Sequence, residues 1–138
     1  MLVNVKLDEG AFLPVRAHGT DAGADIRSPK GFVLSGKNSA VIHTGVHVQL
    51  PPSTVGILKS KSGLNVNHDI IGEGVIDEGY SGEIVVKLYN MGRTPHTFRR
   101  GDKLIQLLVV PVLYCGFEQV DEIDAGERGS NGFGSTGR

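Results

Sequence analysis

Apolar residues alternate with polar ones over short stretches at many points along the chain. Val3, Val5 and Leu7 follow this two-residue period, and the segment 46–50 (VHVQL) does the same. Because successive side chains of a β-strand point to opposite faces, this period predicts strands with one buried face. No window shows a sustained period of 3.6 residues, so long helices are not expected.

Two segments, 84–89 and 104–113, are apolar at nearly every position and rich in valine, leucine and isoleucine. Such runs predict strands that are covered on both faces. Pro111 cannot donate a ladder hydrogen bond, so it indicates a sheet edge, a bulge or a strand end in the second run. Turn-forming segments, such as 28–31 (SPKG) and 100–102 (RGD), separate the apolar runs.

The predicted fold class is all-β, a distorted β-barrel or jelly roll of short strands. Twenty glycines and six prolines among 138 residues leave little room for long helices. One short helical turn is expected after Ser62-Gly63-Leu64, with Ser62 or Asn65 as its cap. With 39% hydrophobic residues, the chain can form one domain over residues 1–138 without disulfides.

Charge excludes several classes of partner. Fourteen basic and fifteen acidic residues nearly cancel, which argues against a protein that binds nucleic acid or an anionic membrane surface. A polyanionic ligand would have to be small and held locally. No stretch approaches the roughly 18 apolar residues of a membrane span, and the single cysteine, Cys115, fits a reducing compartment, so a soluble cytoplasmic protein is expected.

The histidines do not predict a metal site. Two of the five, His43 and His47, are four residues apart, but they lie on a predicted strand without an acidic residue at ligand spacing. Structural or surface positions are therefore expected for the histidines.

The C-terminal segment 126–138 differs in composition from the rest. Five of its thirteen residues are glycine and its apolar content is almost nil, so we expect a flexible arm that a ligand orders. It also carries groups that bind phosphates and bases: a guanidinium, hydroxyls, glycine N–H groups and one aromatic ring. These groups belong to Arg128, Phe133, Gly134, Ser135 and Thr136. From composition alone, a disordered tail and a phosphate clamp both remain open.

Segment 74–84 (GVIDEGYSGEI) carries a candidate catalytic carboxylate. Glu78-Gly79 stands between two apolar runs, which predicts a β-hairpin. Asp77 next to this turn is ionised at neutral pH when its pKa is ordinary, near 3.9, and can then accept a hydrogen bond from water. A plain hairpin turn explains the same pattern. In the same way, a solvated basic turn explains segment 58–64 (LKSKSGL).

Taken together, five segments resemble, in order, the five motifs of the dUTP pyrophosphatase (dUTPase) family of the trimeric type. The resemblance spans about Val5 to Arg138, and the third and fifth motifs are specific. The five segments are 20–28 (TDAGADIRS), 58–64, 74–84, 100–107 (RGDKLIQL) and the C-terminal arm.

For the base, the sugar and the reaction, the resemblance implies distinct roles within the third motif. Asp77 would hold and deprotonate the water that attacks the α-phosphorus. Tyr80 would pack against the deoxyribose and exclude ribose. The backbone of Gly74, Val75 and Ile76 would contact uracil, and a cytosine there would leave buried polar groups unpaired at about 1–3 kcal/mol each.

For the phosphates, the resemblance implies contacts from three motifs. Lys61, Ser62 and Gly63 stand where the family has an Arg-Ser-Gly triplet, and the lysine lacks the bidentate fork of arginine, which predicts looser geometry. Gln106 would contact a phosphate. In the arm, Arg128 would hold the γ-phosphate and Phe133 would stack on uracil, a contact worth about 1–3 kcal/mol. The other arm residues implied in substrate binding are Gly134, Ser135 and Thr136.

The resemblance also implies a metal and an assembly. Mg²⁺ would be bound mainly through the substrate triphosphate, with Asp25 acting on it through water. The protein would be a homotrimer with active sites at the subunit boundaries, and the arm of one chain would close over a site. Ile71 stands where the family often has an asparagine that contacts uracil, so base recognition is expected through the backbone.

The implied activity is hydrolysis of dUTP to dUMP and pyrophosphate, which keeps uracil out of DNA and supplies dUMP for dTMP synthesis. Two alternatives remain open at this point. A dCTP deaminase shares the superfamily fold, although the arm and the string from Asp77 to Tyr80 are features of the dUTPase branch. A regulatory protein of the same fold would keep the nucleotide site as a switch, with weak or absent catalysis.

Overall fold

The computed structural model describes residues 2–127 and 129–131 of the chain. Short strands and one helix account for the regular structure of this part. In chain order they are β1 (Asn4–Leu7), β2 (Ala24–Arg27), β3 (Phe32–Leu34), β4 (Ser39–Gln49), β5 (Thr54–Ser60), α1 (Ser62–His68), β6 (Ile70–Ile71), β7 (Glu73–Ile76), β8 (Glu83–Asn90), β9 (His96–Phe98) and β10 (Lys103–Pro111).

The strands form two four-stranded sheets and a small third one. The first sheet has the order β1-β4-β8-β6 and the second β2-β10-β5-β7, while β3 pairs with β9. Every pairing is antiparallel. One hydrophobic core joins the two large sheets, with Val86 from the first and Leu58 and Leu107 from the second among its members. The all-β jelly-roll prediction with one short helix is confirmed.

Alternation along the strands determines which side chains enter the core. On β4, Val46 and Val48 are buried, as the two-residue period predicts. On β8, every second residue from Ile84 to Leu88 is buried, but Val85 and Tyr89 are exposed. The prediction that segment 84–89 is covered on both faces is therefore wrong for the single chain, because β8 packs only one face on the core.

Strand β10 lies between β2 and β5 and is buried only in its first half, while residues 108–110 are half-buried and Pro111 is exposed. Its side chains Leu104, Ile105 and Leu107 are nearly inaccessible. Pro111 is the last residue of the strand. Of the three predicted positions for this proline, the strand end is correct, since the missing N–H interrupts no further ladder there.

The helix α1 forms where a helical turn is predicted, but its cap differs. Lys61 is the N-cap and makes no side-chain capping hydrogen bond. The first helical hydrogen bond runs from Asn65 N–H to the Lys61 carbonyl at 2.9 Å, so the helix starts one residue earlier than a Ser62 cap requires. Asp69 ends the helix in the left-handed region at φ 54°. Within the described residues, no helix has the length and apolar character that a membrane span requires.

The segment between β7 and β8, which we call the 77–82 loop, contains the predicted turn. The Tyr80 N–H donates to the Asp77 carbonyl at 3.1 Å, and Gly79 has φ 86°, a value that favours glycine. The predicted hairpin is nevertheless wrong, because β7 pairs with β5 whereas β8 pairs with β4 and β6. The turn therefore carries the chain from one sheet to the other.

Phe98 tests how far the core depends on close packing. It is 2% exposed and its ring stacks on Phe32 with centroids 4.8 Å apart. We expect Phe98→Ala to lower the free energy of unfolding by about 3–5 kcal/mol, because it removes a buried ring and leaves a cavity. Urea denaturation at one fixed protein concentration measures this change.

The matched control is Val33→Ala on β3, a 60% exposed side chain in the strand that pairs with β9. We expect its effect to stay within about 0.5 kcal/mol. Equal losses in the two variants would contradict the assignment of Phe98 to the core.

Candidate active site

A buried carboxylate between two lysines lies at one end of the second sheet. Asp25 on β2 is 3% exposed. The Lys61 ammonium contacts its Oδ1, and the Lys103 Nζ lies 2.7 Å from its Oδ2. Strand β10 lies between β2 and β5 and pairs Gln106 with Asp25 on one side and Ile105 with Ser60 on the other, so Lys103 at its start and Lys61 after β5 both come close to Asp25.

The two lysines keep Asp25 ionised. Burial by itself raises the pKa of this carboxyl, but hydrogen bonds from Lys103 and Lys61 outweigh burial, and the net pKa is below the ordinary value. Both oxygens therefore carry negative charge against ammonium groups. Asp25 in turn holds Lys61 in place at the start of α1.

Gln106 extends this group of side chains along β10. Its Nε2 donates to the Ser60 carbonyl at 3.1 Å, next to Lys61. A Cβ on Gly23 would lie 2.5 Å from the Gln106 Oε1 and 2.8 Å from its Cβ, so only glycine at position 23 leaves room for this side chain.

We call this group the lysine cluster. Its members are Asp25, Lys61, Ser62, Gly63, Lys103 and Gln106. Ser62 and Gly63 are exposed, and a Cβ on Gly63 would meet no atom within 4 Å, so the surface above them is open. The structure thus brings together residues from the first, second and fourth predicted motifs.

Lys103 is a member that the sequence analysis missed. It lies inside segment 100–107, whose glutamine alone was singled out. The positive charge of Lys103 next to Asp102 was the available signal, but a charge in the sequence does not indicate that the side chain reaches Asp25 across the sheet.

Asp77 lies away from the lysine cluster and lines a cleft. This carboxylate is exposed at the end of β7. It lines a cleft of about 700 Å³ together with Leu50, Val55, Glu78, Tyr114 and others. Small-molecule sites commonly have volumes of about 300–1,000 Å³, so the cleft is large enough for part of a nucleotide.

The Tyr80 side chain contacts its own loop on one side and is exposed on the other. Its hydroxyl donates to the Glu83 carbonyl at 2.9 Å. The ring lies directly over Gly82, where any Cβ would overlap the hydroxyl group. The side chain is 47% exposed, so one face of a fixed aromatic ring is available for a flat or apolar ligand group.

Glu78 fastens the other half of the 77–82 loop. Its Oε2 accepts a hydrogen bond from the Tyr114 hydroxyl at 2.5 Å and another from the Ser53 N–H at 2.8 Å. These two hydrogen bonds, that of Tyr114 first, lower the pKa of Glu78. The sequence analysis did not single out Glu78, because a turn position gives no signal for a contact with residues so distant in the chain.

The residues predicted to contact uracil lie along an edge. Strand β7, which contains Gly74, Val75 and Ile76, is the outermost strand of its sheet and pairs only with β5. One side of its backbone therefore has N–H and C=O groups that no neighbouring strand in the sheet uses. Ile71 lies on β6, half-buried and paired with Tyr89.

The single chain does not bring Asp77 to the lysine cluster. Ile76, just before Asp77, pairs with Gly56 on β5, whereas Lys61 follows the other end of that strand. Lys61 follows Gly56 by five positions, which correspond to about 16 Å along a strand. The candidate base and the candidate phosphate ligands therefore lie at opposite ends of β5.

Part of the predicted site cannot be placed. Arg128, Phe133, Gly134, Ser135 and Thr136 lie outside the described residues. Within the described part, no group of three or more His, Cys, Asp or Glu side chains is arranged to hold a metal ion.

Comparison with known proteins identifies the family. The family model for dUTPase matches residues 10–137. The chain belongs to the dUTPase family. The deoxyuridine 5'-triphosphate nucleotidohydrolase of Clostridium acetobutylicum is 40% identical to it over 135 residues, which are 96% of this chain and 93% of the relative.

Solved structures of phage members of the family have the same fold. The dUTPase of Staphylococcus bacteriophage 80alpha with dUPNHPP superposes with a TM-score of 0.89, at 32% sequence identity, over 99% of both chains. A mutant dUTPase from phage phi11 of S. aureus, which reveals the coordination of a structural Mg(II) ion, superposes with a TM-score of 0.81 at 31% identity. That match covers 88% of this chain and 98% of the phage chain.

Substitution of Asp25 tests whether its contacts with Lys61 and Lys103 stabilise the protein. We expect Asp25→Asn to lower the free energy of unfolding at pH 7 by about 1.5–3 kcal/mol, because two charged hydrogen bonds are lost. Because the pKa of Asp25 is lowered in the folded protein, the ionised carboxylate stabilises the fold fully at pH values above its ordinary pKa of 3.8. This stabilisation is lost as the pH falls through the lowered pKa. In urea titrations at pH 7, 4 and 3, the difference between the two proteins should therefore be smaller at pH 3 than at pH 7.

Glu73→Gln is the control, since Glu73 is 72% exposed and pairs with Lys59 at the surface. An exposed pair of this kind contributes about 0–1 kcal/mol. A difference between wild type and Asp25→Asn that persists unchanged at pH 3 would show that charge pairing is not its cause.

Proposed function

We propose that the chain hydrolyses dUTP to dUMP and pyrophosphate, with Asp77 as the base. The observation that carries the proposal is the exposed Asp77 carboxylate on a fixed turn, in a chain that matches the dUTPase family from residue 10 to 137. A relative 40% identical to this chain is named for the same reaction.

In the proposed reaction, Asp77 accepts a hydrogen bond from a water molecule and takes its proton as the water attacks the α-phosphorus. The bond from the α-phosphorus to the bridging oxygen breaks, and pyrophosphate leaves with the negative charge. A carboxylate positioned in this way contributes about 10²–10⁴-fold to a rate. The lysine cluster offsets charge on the phosphates through Lys61, while Ser62, Gly63 and Gln106 offer hydrogen-bonding groups.

Recognition of the nucleoside uses the edge of β7 and the ring of Tyr80. The free backbone side of Gly74, Val75 and Ile76 offers donors and acceptors in a fixed order, which suits uracil and mismatches cytosine. The exposed face of Tyr80 packs against the deoxyribose, so a 2′-hydroxyl would collide with it. In the arm, Phe133 stacks on the base and Arg128 binds the γ-phosphate, together with Gly134, Ser135 and Thr136.

Mg²⁺ enters with the substrate in this proposal. The ion would be held mainly by the triphosphate oxygens, as Mg²⁺ commonly is at nucleotide sites. Asp25, whose two oxygens contact lysines, would act on the ion through water. The ion supplies charge neutralisation for the leaving pyrophosphate. The mutant dUTPase of phage phi11 contains a structural Mg(II) ion.

We further propose a homotrimer with active sites at the subunit boundaries. About 16 Å of β5 separate Asp77 from Lys61 in one chain, so a complete site needs the lysine cluster of another copy. The segment after β10 also exposes large apolar side chains that a second copy would cover. They are Leu113, Tyr114, Phe117, Val120 and Ile123.

The outer face of the first sheet supports the same assembly. Val41, Val85 and Tyr89 project from β4 and β8 and are 41–58% exposed. Lys87 lies between Val85 and Tyr89 on the same face, so these three apolar side chains, and not the whole face, are what a second copy would cover. The near balance of charge continues to argue against a nucleic-acid partner.

Substrate specificity is the first test of the activity. With Mg²⁺, pyrophosphate release is expected from dUTP and not from dTTP, dCTP or UTP. Asp77→Asn should lower kcat by about 10²–10⁴-fold while dUTP still binds, because the carboxylate acts on water and not on the base. Stopped assays of pyrophosphate release, together with calorimetric titration of dUTP, measure both effects.

Glu9→Gln, which removes an exposed charge outside the site, is the control and should keep full activity. Binding of dUTP without release of pyrophosphate by the unaltered chain would identify a regulatory protein instead. Ammonia release from dCTP would identify a deaminase.

Complementation tests the shared site. Asp77→Asn and Lys61→Met should each be nearly inactive alone. When the two variants are unfolded and refolded together, we expect roughly one quarter of wild-type activity to return, since random assortment pairs an intact Asp77 with an intact Lys61 of another copy in that fraction of sites. No gain on co-refolding, with both variants assembled normally by sedimentation, would contradict sites built from two copies.

A further inference from the structure

Both ring nitrogens of His47 face hydrogen-bond acceptors. His47 lies on β4 and its side chain is 18% exposed. Its Nδ1 lies 3.0 Å from the Ser81 carbonyl oxygen in the 77–82 loop, and its Nε2 lies 3.0 Å from the Asp8 Oδ2 just after β1. The ring thus bridges the N-terminal strand and the loop that carries Asp77 and Tyr80.

This geometry selects the protonated ring. A neutral imidazole has one N–H and can donate to only one of the two partners. The Ser81 carbonyl can only accept a hydrogen bond. The pKa of Asp8 is lowered, chiefly by its hydrogen bond with His47, so the Asp8 carboxylate is ionised and can also only accept a hydrogen bond. The imidazolium is the one form of the ring that satisfies both contacts.

A bulge in β4 aims the ring at the loop. The register between β4 and β8 shifts between His43 and His47. Gly45 within the bulge has φ 67°, and its N–H donates to the Glu83 Oε1 at 2.7 Å. Bulges turn the side chains that follow them, and here His47 is directed across the strand to Ser81.

The charged groups around His47 come from the two strands that pair with β4. From β1, Lys6 pairs with His47 across the ladder, and Asp8 lies directly after the strand. From β8, Glu83 also pairs with His47, but its oxygens are taken by the His43 ring at 2.7 Å and by the Gly45 N–H.

Among these groups, Asp8 is the charged group in contact with the ring. The hydrogen bond with Asp8 raises the pKa of His47 most, and the contact with the Ser81 carbonyl raises it further. Burial and Lys6 oppose this increase but do not cancel it.

We propose that protonated His47 is a positioning residue that ties the Ser81 end of the 77–82 loop to the N-terminal strand and so sets the placement of Tyr80. This inference rests on the proposed function, in which Tyr80 packs against the deoxyribose. Glu78 anchors the Asp77 end of the loop independently through Ser53. Loss of His47 therefore affects sugar binding more than the attack on phosphorus.

The proposal predicts a split between KM and kcat. His47→Ala should raise KM for dUTP about tenfold and lower the preference for dUTP over UTP by a similar factor, because the charged hydrogen bond that holds the loop is lost. The kcat should stay within about threefold of wild type, since a group that acts mainly on binding leaves the chemical step nearly unchanged.

The effect has a defined pH dependence. The pKa of His47 is raised above its ordinary value of 6.5, so the double contact is complete below that value and is lost as the pH rises through the raised pKa. The KM difference between wild type and His47→Ala should therefore be largest near pH 6 and shrink towards pH 9. Asp8→Asn removes the carboxylate and should move this transition to lower pH.

Steady-state kinetics with dUTP and UTP between pH 5.5 and 9 measure these effects, and NMR of the ring ¹⁵N nuclei reports the protonation of His47 directly. His43→Ala is the matched control, because His43 is a 71% exposed histidine on the same strand whose ring contacts Glu83 and not the loop. Two protonated ring nitrogens at pH 6.5 and a KM effect limited to His47→Ala and Asp8→Asn would support the proposal.

Two results overturn it. One is a His47→Ala variant with the KM and the dUTP preference of His43→Ala at every pH, and the other is a His47 ring that titrates at or below pH 6.5. Failure of the proposed function is separate, since it means that the unaltered chain does not hydrolyse dUTP. In that case the same comparison is made with the Kd for dUTP.

Discussion

The position of β10 between β2 and β5 is the constraint on which the candidate site depends. It brings β2, the end of β5 and the start of β10 together at one end of the second sheet, where Asp25 meets Lys61 and Lys103. A buried carboxylate alone would favour its neutral form, but the two ammonium groups keep it charged. The same contact holds Lys61 at the start of α1, where Ser62 and Gly63 are open to a ligand.

Strand β5 lies between the two parts of the candidate site and separates them. Its far end carries the lysine cluster, and its near end pairs with β7 just before Asp77. Because an extended strand cannot fold back on itself, no side-chain motion within one chain joins the two ends. In the homotrimer that we propose, the site becomes complete between copies, and the apolar side chains left exposed after β10 and on the outer face of β8 support that proposal.

The 77–82 loop is held at both ends by side chains from distant parts of the chain. Glu78 binds the Ser53 N–H on one side of the turn, and His47 reaches the Ser81 carbonyl on the other. Between these contacts, Gly79 and Gly82 allow the backbone to turn and the Tyr80 ring to lie against it. A loop that connects two sheets has no partner strand of its own, so such contacts replace the hydrogen bonds that a hairpin would have provided.

Local patterns in the sequence were sufficient for the fold class, the strands β1, β8 and β10, the second half of β4, the short helix and the family motifs. These features depend on neighbours in the chain: alternation of apolar residues, turn chemistry at Glu78-Gly79 and the residue strings themselves. The predicted hairpin, the Ser62 cap and the double coverage of segment 84–89 were wrong, because strand pairing, helix start and burial depend on which segments meet in three dimensions.

The contacts of Lys103 and His47 were not predictable for the same reason. Lys103 reaches Asp25 across 78 positions of the chain, and His47 reaches Asp8 across 39 and Ser81 across 34. No periodicity or spacing contains those pairings, since sheet register and a bulge in β4 produce them. The sequence determined which chemical groups the protein has, and the tertiary structure alone decided which of them meet, because non-local contacts form only when the two sheets close on their common core.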